Sequence, residues 1–271
     1  MGCTKTEIEE VSGNKPPGEK LVTQEMKDAY INRVYITLTG KKSTEEAFNQ
    51  AQEYLSNHEG VAGRLKVVSK VMDTEDYTIQ LYDVARADYL ESVDTSLIRS
   101  DYIQVLDALQ SATGPSREYY LEAERELKAL LEIPDGLIEG TIDVPEMHRR
   151  LVDNFYYDDI NMGTENFVVA TFQNFLFRYP TSAELEQGKL IVDGKPGSLF
   201  LQAGNSKGDF LDIFFTTDDY FEGIVISLYR KYLFREPDTD EMYNQTEALL
   251  NGGTYQQLQQ QILSSDEYFF N

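Results

Sequence analysis

Apolar side chains recur at helical spacing over residues 97–112, and the run ends in Thr113-Gly114-Pro115, a stop signal. Residues 116–131 open on a candidate cap, Ser116, and continue through Glu, Ala, Arg, Lys and Leu, all strong helix formers. Residues 134–145 are rich in Pro and Gly and predict a loop, and 146–154 predict a further helix carrying His148. The apolar stretch 167–177 is interrupted by Gln173 and Asn174, and it is far shorter than the roughly 20 residues of a membrane span. This pattern predicts an all-α chain.

Self-similarity organises most of what remains. One short string occurs four times: Thr74-Glu75-Asp76-Tyr77, Thr164-Glu165-Asn166-Phe167, Thr217-Asp218-Asp219-Tyr220 and Ser265-Asp266-Glu267-Tyr268. Each begins with a hydroxyl residue and ends in an aromatic. A second string, from Leu176-Phe177-Arg178-Tyr179-Pro180-Thr181 to Glu184, aligns without gaps on Leu233-Phe234-Arg235-Glu236-Pro237-Asp238 to Glu241. A weaker copy begins at Leu38, with Gly40 and Lys42 standing where the others carry Arg and Pro. Each copy then runs through a polar helical stretch to a Gly-containing break. The expected unit is therefore helix, Pro turn, helix, Gly turn, helix, with copies at 23–77, 164–220 and 217–268. The regions are a tether at 1–20, an N-terminal helical part at 21–163 and a C-terminal part at 164–271.

Both strings read as helix caps. A Thr, Ser or Asp side chain accepts a hydrogen bond from an unpaired first-turn amide, and first-turn acids suit the positive end of the helix dipole. Capping boxes are expected at Ser43 with Glu46, Thr181 with Glu184, and Asp238 with Glu241. Pro180 and Pro237 force the chain to turn. Arg178 and Arg235 fall at helix ends, and their recurrence with the acidic strings predicts pairing of Arg178 with Asp218 or Asp219, and of Arg235 with Asp266 or Glu267. Substrate binding by these arginines, or calcium binding by acids such as Asp158-Asp159, is the competing reading. No segment has the alternating oxygen spacing of a calcium loop.

The string Leu-Phe-Arg-x-Pro-x-x-x-Glu, a Gly break and then Leu263-Ser264-Ser265-Asp266-Glu267-Tyr268 resembles a short all-helical repeat domain of bacterial secreted and surface proteins, itself similar to the phycobilisome-linker domain. The resemblance is best over 217–268, good over 164–220 and faint over 23–77. It implies an α-helical fold and a scaffold or interaction role, and it supplies no catalytic residue. Phycobilisome linkers tend to be basic, which sets this chain apart.

The chain of 271 residues carries 47 acidic against 24 basic side chains, a net charge of -23. That balance argues against binding a nucleic-acid backbone, and against unassisted adhesion to anionic lipid. A hydrophobic content of 41% is too high for a disordered acidic tail. One cysteine and two histidines, His58 and His148, leave no intrachain disulfide and little for a metal site, so no metal or cofactor is expected. His148, beside Arg149 and Arg150, reads as a surface residue. Phe155-Tyr156-Tyr157 reads as a packed helix junction or as a ligand patch, and Gly204-Asn205-Ser206-Lys207-Gly208 as a long turn without the order of a phosphate loop. The same five residues have Gly-x-Ser-x-Gly spacing, but no strand is predicted before them to build a nucleophile elbow, and no His-Glu-x-x-His string is present.

Cys3 bears on location. Gly2-Cys3 resembles the end of a bacterial lipobox, with Cys3 as the lipidated residue and Met1 in place of a signal peptide. Myristoylation at Gly2 with palmitoylation at Cys3, or an unmodified terminal thiol, are the other readings. The polar, Pro- and Gly-containing segment that follows predicts a tether with a reach of roughly 25 Å. The resulting expectation is a non-catalytic lipoprotein of the bacterial outer membrane or cell surface, a scaffold for another envelope protein or a polysaccharide. A saccharide-binding module and a carboxylate-dependent hydrolase are the alternatives.

Overall fold

The structure, a computed structural model, describes residues 21–271, so Cys3 and the expected tether lie outside the described residues. Among the described residues it is all-helical, with 16 helices and almost no strand. The first four helices are α1 (Gln24–Thr39), α2 (Glu45–Asn57), α3 (Gly60–Met72) and α4 (Glu75–Leu90). A long hairpin of α5 (Thr95–Leu109) and α6 (Pro115–Leu131) follows, then the short α7 (Ile133–Glu139), α8 (Val144–Val152) and α9 (Phe155–Ile160). The last third holds α10 (Thr164–Leu176), α11 (Ser182–Val192), α12 (Lys207–Phe214), α13 (Asp218–Leu233), α14 (Thr239–Leu250), α15 (Tyr255–Ser264) and α16 (Asp266–Phe270).

Two expected irregular segments are ordered. Residues 134–145 are mostly helical, because Pro134 and Pro145 sit in the first turns of α7 and α8, where a missing N–H costs nothing. Gly204 closes a small antiparallel hairpin of β1 (Gly197–Leu199) and β2 (Gln202–Gly204). Ser206 then caps α12 by accepting from Asp209 N, so the five residues read as a long turn are a strand end and a helix start.

Most predicted caps are present. The side chains of Thr74, Thr217 and Ser265 each accept from the amide three residues on, and Thr181–Glu184 and Asp238–Glu241 form reciprocal capping boxes. Two differ. Gly163 holds the cap position of α10 with φ 89°, which leaves Thr164 inside the helix, its hydroxyl donating to Asp193 at 2.6 Å. The cap of α2 is Thr44 rather than Ser43, with Ala47 three residues on, so no box with Glu46 forms. A box at Thr254 and Gln257 starts α15 and went unpredicted.

One hydrophobic core takes side chains from both sides of residue 164, from Tyr30 to Phe269. Tyr156 and Tyr157 are buried in it, as the packing reading of that string expects. The chain closes on itself where α15 and α16 return against α1 and α3. Tyr30 Oη donates to Leu263 O at 3.0 Å, and buried Arg64 donates through Nε to Ser264 O at 2.7 Å while pairing with Asp266. Tyr77 Oη donates to Gln259 Oε1 at 2.7 Å, and Gln259 Nε2 donates to Tyr232 Oη at 2.6 Å. These buried polar groups are satisfied across more than 180 residues of sequence separation for the Tyr30, Arg64 and Tyr77 contacts.

Candidate functional site

Three corners of the fold share one construction. At two of them a helix ends in a left-handed aromatic, Phe177 (φ 54°) after α10 and Phe234 (φ 56°) after α13. The next residue is the arginine. Arg178 donates to both oxygens of Glu184, at 2.9 and 2.7 Å, and to Asp219 at 2.6 Å. Arg235 donates to both oxygens of Glu241, at 2.6 and 2.8 Å, and to Glu267 at 2.6 and 2.7 Å. Asp218 stays in the first turn of α13 as a dipole partner, and Asp266 goes to Arg64 instead. Tyr220 and Tyr268, which end the two cap strings, are buried. Pro180 and Pro237 stand just before the caps Thr181 and Asp238.

The third corner corrects the alignment of the faint copy by one residue. Gly40 (φ 68°) takes the left-handed position of Phe177 and Phe234, so Lys41, not Gly40, takes the place of the arginines. Lys41 Nζ pairs with Asp76 at 2.7 Å, in the cap string at the start of α4. Ala47 replaces the glutamate, which explains the missing box.

The carboxylates at the two arginine corners are committed to structure. Hydrogen bonds from Arg178 and the Thr181 amide hold Glu184 down at about 2, and Arg235 lowers Glu241 and Glu267. Elsewhere, burial pushes Glu126 up to about 7, on the side of α6 where its carboxylate accepts from Phe155 N at 3.0 Å. Asp158 is paired with Lys207 at 2.7 Å. Among the described residues no group of three or more His, Cys, Asp or Glu is placed to hold a metal.

Between α13 and the pair α1 and α4 runs a seam of three cavities. The first, about 90 Å³, includes Phe177, Tyr220 and His148. The second, an open groove of about 760 Å³, includes Phe234, Tyr268 and Arg33. A narrow third cavity, which includes Tyr77, lies between them; it shares Leu81 and Val84 with the first, Thr37 and Tyr232 with the second. Lys231 lines all three. Each cavity thus contains the aromatic residue that ends a cap string.

His148 is not the surface residue that its Arg149-Arg150 neighbours suggest. It is half-buried, with its Nδ1 2.8 Å from Tyr220 Oη and its ring 5.1 Å from that of Phe175 and 5.5 Å from that of Tyr89. Burial pushes its pKa down to about 3, so the ring is neutral at physiological pH. A signal was present: Val144, Met147 and Leu151 set the apolar stripe of α8, and position 148 falls on it. Lys231, Asp88 and Arg33 carried no comparable mark. Comparison with protein-family models, with curated proteins and with solved structures finds no match.

Proposed function

We propose that this protein is a non-catalytic helical scaffold of the bacterial cell envelope, carried on a lipid anchor at Cys3 and docking another envelope protein or a polymer through aromatic corners. The observation that carries this reading is the pair Phe177 and Phe234. Both hold a left-handed conformation, which costs a side-chain-bearing residue about 1–2 kcal/mol relative to glycine. Phe234 is nevertheless 84% exposed and Phe177 38%. The matching corner at Gly40 shows that the turn closes without an aromatic. Arg230 ties the two sites together, lying 4.8 Å over the Phe177 ring and pairing with Glu236 at 2.7 Å. Large exposed aromatics beside an arginine have the composition of interface anchors.

The three corners, each joining a cation to a cap-string acid, support the reading of the chain as repeated helix–turn–helix units. They also support the likeness to bacterial surface repeat domains, which rests on the motif residues. A saccharide-binding role is favoured by one feature, the open groove where exposed Phe234 faces Arg33, Thr37 and Asn271.

Capture from native bacterial membranes tests the scaffold. The full chain is expected to retain a specific partner that Phe177→Asp/Phe234→Asp loses while keeping its helical circular dichroism. Equal capture by both forms, or binding of glycans alone, overturns the docking role. Intact mass of the native protein is expected to show acyl chains on Cys3, and an unmodified thiol overturns the anchor.

A further inference from the structure

The first seam cavity combines an apolar interior with a rim of two opposite charges. Tyr89, Phe175, Met147 and Ile224 line its inside, while Asp88 projects from α4 and Lys231 from α13, both exposed at the mouth. Among the described residues neither has an ion-pair partner within 4.0 Å, although most arginines of this acidic chain have found one. The two charges therefore face a common opening without neutralising each other directly. Desolvation at that opening pushes the Asp88 carboxyl up and the Lys231 ammonium down, and each favours the charged form of the other.

We propose that this cavity binds a small zwitterion with an aliphatic side chain, of the class of a free α-amino acid, its ammonium toward Asp88, its carboxylate toward Lys231 and its side chain inside. The rim selects against simpler ligands. A lone cation meets repulsion from Lys231, and a lone anion meets it from Asp88; a zwitterion satisfies both and adds no net charge to a half-desolvated site. The volume sets the side chain. About 90 Å³ is below the roughly 150 Å³ cavity that admits benzene, which suits a branched aliphatic group better than an aromatic ring. The polar groups inside, neutral His148, Tyr220 and Ser227, add no opposing charge. An apolar pocket with a few convergent polar groups is the general form of a small-molecule site. This assignment goes beyond the scaffold reading and stands independently of it.

Titration calorimetry on the full chain tests it with L-leucine, with L-leucinamide, which lacks the carboxylate, and with 4-methylpentanoate, which lacks the ammonium. Saturable one-to-one binding of L-leucine is expected, with each single-charge analogue at least ~10-fold weaker, a loss of roughly one charge-assisted hydrogen bond. Asp88→Asn should weaken L-leucine by a similar factor and leave 4-methylpentanoate unaffected or tighter. Lys231→Gln should weaken L-leucine and spare L-leucinamide. Both residues lie at the exposed rim, so these variants keep the core. Ser227→Leu, which fills the cavity, should abolish binding. No saturable binding of L-leucine, equal binding of all three probes, or binding unchanged by both rim variants overturns the proposal. Loss of partner capture by Phe234→Asp, at a residue outside this cavity, with L-leucine binding intact, or the reverse, separates the two readings.

Discussion

Arg178 and Arg235 each hold two carboxylates, one six residues ahead and one on a helix that the fold brings back. The near pairing is not among those the sequence predicts, since Glu184 and Glu241 read there only as capping-box members. The far one follows only from the recurrence of cation and acid in the same strings. Recurrence failed at Gly40 and Lys41, because a gap-free alignment compares side chains, whereas the equivalence lies in a left-handed backbone shared by Gly40, Phe177 and Phe234. That equivalence leads to a test at this scale. Phe234→Gly removes a strained conformation and little buried surface, so urea unfolding should show stability unchanged or raised by up to about 1 kcal/mol. A loss above that range would mean that the aromatic corner serves the fold and not a partner.

At the scale of elements, the helices were readable from their starts and stops more than from amphipathicity. Thr217, Thr181, Asp238 and Ser265 each mark a helix that is present. Pro134 and Pro145 misled, since the same residue that ends a helix also fits its first turn. How helices meet was not readable. Gly223 lies where α13 crosses α10, and a Cβ there would stand 1.8 Å from Phe175 O, a backbone atom. Gly223→Ala should therefore push the helices apart and lower stability by about 2 kcal/mol or more by denaturant unfolding, despite the better helix propensity of alanine. An unchanged midpoint would refute the close crossing.

For the whole molecule, the excess of acid is divided among unlike environments. Glu184 is held at about 2, so its contribution to stability is full above the ordinary carboxylate range and disappears as pH falls from about 4.5 toward 2. Glu126 runs the other way. Its pKa in the folded chain, about 7, exceeds the unfolded value, so the folded state binds more protons and stability from this group is lost as pH rises from about 4.5 through 7. Glu126→Gln keeps an acceptor for Phe155 N and removes the titration. Relative to wild type it should gain about 1–2 kcal/mol between pH 5 and pH 8, a figure reduced for water at the open side of the group. A constant difference across that range would show that Glu126 is ionised throughout.

The all-helical class, most helix starts and the identity of the corner arginines were determined by the sequence, because capping and turn chemistry act over three or four residues and leave their mark in local order. The closure of α15 and α16 onto α1 and α3 and the meeting of Asp88 with Lys231 at one cavity were decided by the tertiary structure alone. Residues 88 and 231 lie on different helices whose proximity depends on how α4 and α13 pack on a common core. The placing of two distant charges at one opening is a property of the assembled core, and no local pattern encodes it.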